Sequence, residues 1–391
     1  MVWFEIIAII VICLAVAKAG HAWIRSHPVP DGCLEPGKMR RYFAMMTVLV
    51  KLDRLAKLFT GRGLFKALMK MQQKPPPPSI SKNEVFIEGI RTVIYRQAES
   101  SNHCIRPAIV FYHGGAWIMG SPELEQGFLV DLIHDLGVVI FSVDYHLAPE
   151  HPFPAGFDDC YKVTEYILAH PEEFNVDPNK ILIGGQSAGG NLAAAVGTKL
   201  RDQGLAKKIK GQLLIVPVTQ AHDFQTTSHK GNKYDTALSK DFSPWAKYAL
   251  GHKYKDVLES MTQNTHVPRE KRDEFIKLCG NSPLLTKTVN KPTDVTAWQK
   301  LQPYLENPYF APLVAKDLTG IAATVLVTAG QDVLRDDGLL YGERLRQSGV
   351  KVFSVHSEST FHGTLGIKDF APLEYDRSYQ MVLVQLKKLL E

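Results

Sequence analysis

The sequence predicts an α/β fold in which a mostly parallel central sheet is flanked by helices. Short runs of β-branched and aromatic residues recur after residue 79, and amphipathic stretches long enough for a helix separate many of them. Apolar strands that alternate with helices are typical of parallel sheets covered on both faces. The chain has 391 residues, of which 45% are hydrophobic and 22% are charged, so it can bury a large core.

Seven segments are expected to supply the strands: residues 84–95, 108–113, 138–145, 181–185, 213–218, 324–330 and 350–356. Gly89 divides the first segment, which indicates a hairpin at the edge of the sheet. Helices are expected at residues 123–136, 156–170, 188–202, 336–347 and 373–390. Strand patterns are few between residues 220 and 310, so this part is predicted to be a helical cap insertion over the strand ends, where open α/β sheets hold their sites.

The N-terminal region has a different composition. Residues 1–24 include an unbroken apolar run and predict a signal-anchor in a membrane, with a cleaved signal peptide or a buried helix as the alternatives. Residues 25–79 mix Leu, Phe and Met with Lys and Arg, and predict amphipathic helices that cover a core or also contact lipid. Four prolines at 75–78 mark the boundary with a main domain over residues 80–391.

Charge and motif content exclude several functions. The net charge of +5 is spread thinly along the chain, so no nucleic-acid partner is predicted. The five cysteines lie far apart without a CxxC pair, and neither HExxH nor a GxGxxG after a strand occurs. The chemistry is therefore predicted to need no metal and no organic cofactor.

Residues 185–189 read GQSAG and fit the pattern G-x-S-x-G between a strand and a helix. In such a turn the serine takes strained backbone angles, and small neighbours let the strand and the helix approach closely. Its hydroxyl group then lies at a helix N-terminus, where N–H groups favour a developing negative charge. Ser187 is thus a candidate nucleophile, and a plain glycine-rich turn is the alternative.

A second glycine pair lies in HGGAW, residues 113–117, directly after a predicted strand. Glycines let backbone N–H groups turn toward a substrate without obstruction by a β-carbon. The N–H groups of Gly114, Gly115 and Ala188 are therefore predicted to form an oxyanion hole, a cluster of donors aimed at one oxygen.

A serine nucleophile needs a histidine base and a carboxylate that orients the histidine. His362 follows the last predicted strand, and Asp332 follows the strand before it, which gives the chain order serine, acid, histidine. Asp336 and Asp337 are rival acids but are expected to cap the next helix. The rival histidines His113, His146 and His151 lie on earlier loops.

Together HGGAW, DYHLAPEHPFPAGFDD (144–159), GQSAGGNLAAAV, QDVLRDDG and FHG resemble the hormone-sensitive-lipase-like group of α/β-hydrolases. The apolar N-terminus and the length resemble the group's membrane-anchored members. The resemblance implies an α/β-hydrolase fold, the triad Ser187, Asp332 and His362, and reaction at ester or aryl-amide carbonyls. Two departures are Gln186, where the group often has Asp, and Ala116, where it often has Gly.

The expected function is therefore a serine carboxylesterase for lipid esters, small aryl or alkyl esters, or arylamides. A ligand-binding protein on the same fold is the alternative, and retention of all three triad residues disfavours it. The resemblance implies an endoplasmic-reticulum anchor with a lumenal catalytic domain. The cluster of Lys and Arg after the apolar run favours the opposite orientation, with the body in the cytosol.

Overall fold

The computed structural model describes residues 18–60, 74–98, 104–231, 241–286 and 291–391, apart from the side chains of residues 54–60. Within these residues the chain forms an eight-stranded sheet with the order β1-β2-β4-β3-β5-β6-β7-β8. The strands are β1 (Ile80–Ile87), β2 (Ile90–Gln97), β3 (Arg106–Tyr112), β4 (Val139–Val143), β5 (Val176–Gln186), β6 (Gly211–Ile215), β7 (Thr324–Gln331) and β8 (Val352–Phe361).

The sheet is parallel from β4 through β8 along its spatial order, and only the hairpin of β1 and β2 runs antiparallel to its neighbours. Gly89 and Glu88 form the hairpin turn with φ angles of 79° and 51°. The predicted α/β fold with a mostly parallel sheet and an edge hairpin is confirmed.

Helices cover both faces of the sheet, as the strand composition requires. In β3, Val110 and Tyr112 belong to one buried cluster, whereas Ile109 and Phe111 belong to the cluster on the other face. The helices that pack on the sheet are α2 (Gln126–Leu136), α3 (Ala155–Ala169), α4 (Ala188–Asp202), α10 (Arg335–Gln347) and α11 (Pro372–Leu390). A strand buried on both faces reads as a continuous apolar run, which explains why these strands were visible in the sequence.

Between β6 and β7 the chain leaves the sheet and forms helices instead of a short crossover. They are α5 (Thr227–Gly231), α6 (Ser243–Leu250), α7 (Lys255–Thr262), α8 (Arg269–Leu278) and α9 (Val295–Leu305). The helical character predicted for residues 220–310 is therefore present in the described part of this segment. The domain boundaries given above remain predictions.

The N-terminal helix α1 (Pro36–Thr60) packs beside the end of β8. The ring centroids of Phe43 and Phe361 lie 5.1 Å apart, and those of Tyr42 and Phe361 lie 5.7 Å apart. Met39, Phe43 and Phe361 form a small buried cluster with Ile367 and Ala371. The first half of the predicted amphipathic region therefore covers a core, which was one of its two interpretations.

Other predictions about the N-terminus fall largely outside the described residues. Residues 1–17 and 61–73, which hold most of the predicted anchor and the second amphipathic stretch, are among those left undescribed. In the described ranges no helix is both long enough and apolar enough to cross a bilayer.

Candidate active site

Ser187 lies on a sharp turn between β5, which ends at Gln186, and α4, which begins at Ala188. Its backbone has φ 57° and ψ −116°, a conformation that non-glycine residues rarely adopt. Strain of this kind costs on the order of 1–3 kcal/mol and persists only where the surroundings enforce it. The Ser187 N–H donates to the carbonyl of Ile215 at 2.8 Å, which ties the turn to β6.

The glycines on either side of Ser187 are required by close backbone packing. A β-carbon at Gly185 would overlap the backbone of Gly189, and one at Gly189 would overlap the carbonyl oxygen of Tyr112 in β3. Strand β5, strand β3 and helix α4 therefore meet too closely for any side chain at these two positions. The pattern G-x-S-x-G reflects this packing.

His362 bridges Ser187 and Asp332 through both of its ring nitrogens. Ser187 Oγ lies 2.9 Å from His362 Nε2, and His362 Nδ1 lies 2.9 Å from Asp332 Oδ2. Because a carboxylate only accepts, Nδ1 carries the proton and Nε2 is free to accept from the serine. The second oxygen of Asp332 accepts the Leu334 N–H at 2.8 Å, which fixes the carboxylate.

These three side chains come from the carboxyl ends of different strands. Ser187 follows β5, Asp332 follows β7 and His362 follows β8, and all three strands run parallel in the order β5-β6-β7-β8. The carboxyl ends of parallel strands share one edge of the sheet, where open α/β folds hold their sites. Ser187 and Asp332 are buried, with 6% and 1% exposure, so the hydrogen-bonded chain is largely shielded from water.

The rival acids bind the insertion and do not contact His362. Asp336 accepts hydrogen bonds from Thr227 Oγ and the Ser228 N–H, each at 2.7 Å. Asp337 accepts from the Thr219 N–H at 3.2 Å and from Gln220 Nε2 at 2.9 Å. The expectation that they cap the helix was wrong, because α10 begins at Arg335 with no side-chain cap and both carboxylates tie the insertion to its first turn.

The rival histidines also have other partners. His113 is fully buried, which lowers the pKa of its imidazole to about 4, and its ring stacks on Tyr145 with centroids 4.3 Å apart. His146 Nδ1 lies 2.7 Å from Asp159 Oδ2, and its ring contacts His151 at a centroid distance of 4.5 Å. Of the candidate histidines, His362 is the one that the structure places on Ser187.

The glycine loop, residues 113–117, contacts the turn that carries Ser187. One of its predicted oxyanion donors already has another hydrogen-bond acceptor. The Gly114 N–H donates to Glu125 Oε1 at 2.9 Å. An N–H group has a single proton, so the prediction that Gly114 belongs to the oxyanion hole was wrong. Glu125 was missed in the sequence, because a Glu directly before a helix carries no pattern that marks this role.

The next two residues of the loop have N–H groups without an acceptor in the described structure, as does Ala188. Gly115, Ala116 and Trp117 have φ angles of 116°, 55° and 60°, so the backbone turns sharply over three consecutive residues. A β-carbon at Gly115 would overlap the carbonyl oxygen of Met119, so glycine is required there. Ala116 fits sterically at a conformational cost of about 1 kcal/mol, because its φ falls in the left-handed region.

Aromatic side chains from the insertion cover this loop. The ring of Trp117 stacks on Tyr248 at a centroid distance of 4.6 Å and meets Trp245 edge-on at 5.9 Å. Both partners belong to α6, so the insertion forms an apolar wall next to the glycine loop. Gln186, beside the serine, places an uncharged amide with a buried oxygen that has no partner among the described residues.

A parallel sheet of this order, with a serine on a strained strand-to-helix turn, defines an α/β-hydrolase. The family model for the alpha/beta hydrolase fold matches residues 109–269 and 258–366. The chain belongs to this family.

Two groups of curated relatives span most of the chain. Arylacetamide deacetylase of Oryctolagus cuniculus is 33% identical over 382 residues, which cover 92% of this chain and 94% of the relative. Neutral cholesterol ester hydrolase 1 of Bos taurus is 32% identical over 307 residues, covering 73% of this chain and 74% of the relative. With the family match, these relatives show that the chain is a serine hydrolase of the carboxylic-ester class.

Solved structures show the same fold. An ester hydrolase from the metagenome of Lake Arreo, in complex with a bipyridine phosphonate derivative, has a TM-score of 0.63 and 25% identity over 90% of this chain and 98% of its own. An arylesterase has a TM-score of 0.66 and 24% identity over 93% of this chain and 99% of its own. The second likeness, with its lower identity, bears on the fold alone.

Proposed function

We propose that Ser187, His362 and Asp332 are the catalytic triad of a carboxylesterase that works through an acyl-enzyme. The observation that carries this proposal is the pair of 2.9 Å contacts that joins Ser187, His362 and Asp332 in sequence. His362 lies 175 positions after Ser187 and 30 positions after Asp332 in the chain. The three side chains nevertheless meet with the order of donors and acceptors that serine catalysis requires.

In the first half of the reaction, Ser187 Oγ attacks the ester carbonyl while its proton passes to His362 Nε2. The carbonyl oxygen becomes an oxyanion, and the N–H groups of Gly115, Ala116 and Ala188 are proposed to stabilise it. His362 then gives its proton to the departing alkoxide oxygen, the carbon–oxygen bond breaks and an acyl-enzyme remains. Asp332 holds the imidazole in one orientation and stabilises its charged form.

In the second half, water replaces the alcohol. His362 takes a proton from the water, whose oxygen attacks the acyl carbonyl and forms a second oxyanion. The proton returns to Ser187 Oγ as the acid leaves, so the enzyme is restored. All steps use residues of this chain alone.

The proposed substrates are esters with an apolar acyl or alcohol group, bound beside the glycine loop. Trp117 extends from the glycine loop itself, and Tyr248 and Trp245 reach it from α6. All three rings are buried, with 2–3% exposure, so they brace the loop that carries the proposed oxyanion donors. The names of the relatives, an arylacetamide deacetylase and a cholesterol ester hydrolase, support both substrate kinds.

Hydrolysis of p-nitrophenyl esters from acetate to palmitate tests the function and its substrate range. We expect kcat/KM to rise with chain length as apolar surface is buried, at about 0.8 kcal/mol for each buried CH₂ until the acyl site is filled. A phenylacetate ester and an arylamide added to the series separate aryl from lipid preference. Hydrolysis of none of these by the folded protein would contradict the proposal.

The proposed localisation is the endoplasmic-reticulum membrane, with residues 1–24 as a single-pass signal-anchor and a lumenal catalytic domain. Two features support this localisation: the apolar run within residues 1–24 and the exposed face of helix α1. On α1, Met45, Val48 and Leu52 are exposed at a spacing that places them on one face of the helix. The same helix carries six basic residues, among them Lys38, Arg40, Arg41 and Lys51, and these suit the headgroups of a bilayer.

Protease treatment of microsomes tests this arrangement. We expect the full-length protein to resist alkaline carbonate extraction, because high pH releases proteins held by ionic contacts but not an anchor that spans the bilayer. The catalytic domain is expected to be digested only after detergent is added. Digestion in intact microsomes would place the domain in the cytosol, as the flanking charges suggest.

A further inference from the structure

We propose that Glu125 is a positioning residue of the oxyanion hole: its carboxyl group holds the Gly114 N–H and so aims the amides of Gly115 and Ala116 at the substrate. The proposal rests on the proposed function of Ser187 and adds a residue that neither the sequence pattern nor the triad includes. Its basis is the 2.9 Å hydrogen bond from Gly114 to Glu125 Oε1, made by a side chain that is only 6% exposed.

Gly114 lies between the Glu125 carboxyl group and the serine turn. A β-carbon at Gly114 would stand 3.0 Å from Glu125 Oε1, 3.3 Å from the Gln186 carbonyl oxygen and 3.8 Å from Ser187 Cβ. A shift of Glu125 is therefore passed to a backbone segment in direct contact with the turn that carries the serine. This hydrogen bond therefore helps to fix the position of the loop relative to the turn.

The backbone that carries the Glu125 side chain is itself held in place. Glu125 directly precedes α2, whose Leu129 N–H donates to the Glu125 carbonyl at 3.1 Å. Phe128 of α2 packs against Phe111 of β3, the strand that leads into the glycine loop, at a centroid distance of 6.4 Å. Gly114, which follows β3, and Glu125, which precedes α2, are thus both held by β3.

The surroundings keep this carboxyl group neutral. Burial raises the pKa of Glu125 to about 8, and the Gly114 N–H offsets only part of that increase. The titratable groups next to it are the His113 imidazole and the Tyr145 hydroxyl, and burial lowers the pKa of the first and raises that of the second, so both are uncharged at neutral pH. The charges further out, on Glu123 and Asp144, are paired with Arg91.

A neutral carboxyl group suits this position for an electrostatic reason. Oε1 accepts the Gly114 N–H, and Oε2, which has no partner among the described residues, carries the proton. Neutral Glu125 orients the loop without placing a negative charge next to a developing oxyanion. Ionised Glu125 would repel that oxyanion, so loss of this proton should lower kcat.

The test compares Glu125→Gln, Glu125→Ala and the control Glu123→Gln with the wild type, over pH 6 to 9.5. Glu123 is a neighbouring carboxylate that pairs with Lys82 and Arg91 and not with the glycine loop. Glu123→Gln therefore makes the same Glu-to-Gln replacement as Glu125→Gln without removing a contact to that loop. Hydrolysis of a p-nitrophenyl ester by Ser187→Ala is subtracted at each pH, which separates enzyme turnover from alkaline hydrolysis. Circular dichroism confirms that each variant is folded.

At pH 7 we expect Glu125→Ala to lower kcat on the order of 10- to 100-fold with KM nearly unchanged, because a displaced loop weakens only the transition state. Glu125→Gln keeps an oxygen for Gly114 and is expected to restore most of kcat. The wild type and Glu123→Gln should lose kcat above pH about 8, as the Glu125 carboxyl group ionises, whereas Glu125→Gln should not.

Wild-type kcat in Glu125→Ala, or the same alkaline fall in Glu125→Gln as in the wild type, would overturn the role of Glu125. Should Glu125→Ala fail to fold, the alkaline profile of the isosteric Glu125→Gln variant decides alone. Equal hydrolysis by Ser187→Ala and the wild type would instead overturn the proposed function, which keeps the two failures distinct.

Discussion

Replacement of Ser187 by alanine is expected to lower kcat for ester hydrolysis by on the order of 10⁵- to 10⁶-fold, the loss found when a triad nucleophile is removed. Without Oγ no acyl-enzyme forms, and only the oxyanion donors and substrate binding remain to assist attack by water. Removal of one hydroxyl group leaves the packing of this turn intact, so KM should change little. Steady-state kinetics with a p-nitrophenyl ester measures the effect.

Ser378→Ala is a matched control for this variant. Ser378 is buried on α11 and donates its hydroxyl proton to the Glu374 carbonyl at 3.0 Å, far in sequence from the triad. Its variant should keep kcat within the range of the wild type. Comparable losses in both variants would mean that Ser187→Ala acts through folding, and the nucleophile would have to be sought elsewhere.

Replacement of Asp332 by asparagine is expected to lower kcat by about 10⁴-fold. Asparagine keeps the shape of the side chain, and its amide can still accept the Leu334 N–H that fixes Asp332 Oδ1. The amide can also donate to His362 Nδ1, which would place the imidazole proton on Nε2. Nε2 could then no longer accept the proton of Ser187, so the base is lost although the residues stay in place.

Asp336→Asn is the control, because this carboxylate lies four residues further on and binds Thr227 and Ser228 of the insertion instead of His362. A far smaller loss of kcat is expected, together with a lower thermal midpoint as the insertion is loosened. If Asp336→Asn removes activity as completely as Asp332→Asn, the assignment of the acid is wrong.

The fold and the meeting of the triad could be predicted from the sequence because both depend on strand order. Strands buried on both faces read as apolar runs, and residues that follow parallel strands converge on one edge of the sheet. Ser187, Asp332 and His362 each come directly after a parallel strand of the sheet. The glycines around Ser187 are also visible in a single sequence, and they reflect the close backbone packing that the turn requires.

The donors of the oxyanion hole could not be predicted in the same way. The direction of a backbone N–H depends on local φ and ψ angles and on its partner, and for Gly114 that partner is a side chain 11 positions away. The prediction that Asp336 and Asp337 cap a helix failed for a related reason. Their partners belong to the insertion, whose packing against α10 depends on tertiary contacts that leave no periodic trace in the sequence.

The N-terminal helix shows an intermediate case. Its composition predicted an amphipathic helix and left open whether its apolar face meets protein or lipid. The structure places Tyr42 and Phe43 against Phe361, the residue before His362, while Met45, Val48 and Leu52 remain exposed. One helix can therefore support the histidine loop with one face and present another face to its surroundings.

The central claim, that Ser187 is the nucleophile of an acyl-enzyme, is tested most directly by peptide mapping after reaction with a fluorophosphonate probe. The probe forms a covalent phosphonyl ester with an activated serine, and digestion with mass spectrometry locates the modified residue. One adduct per chain on Ser187, absent from Ser187→Ala and strongly slowed in His362→Gln, is the predicted result. An adduct on another residue, or labelling of Ser187→Ala at the wild-type rate, would contradict the account.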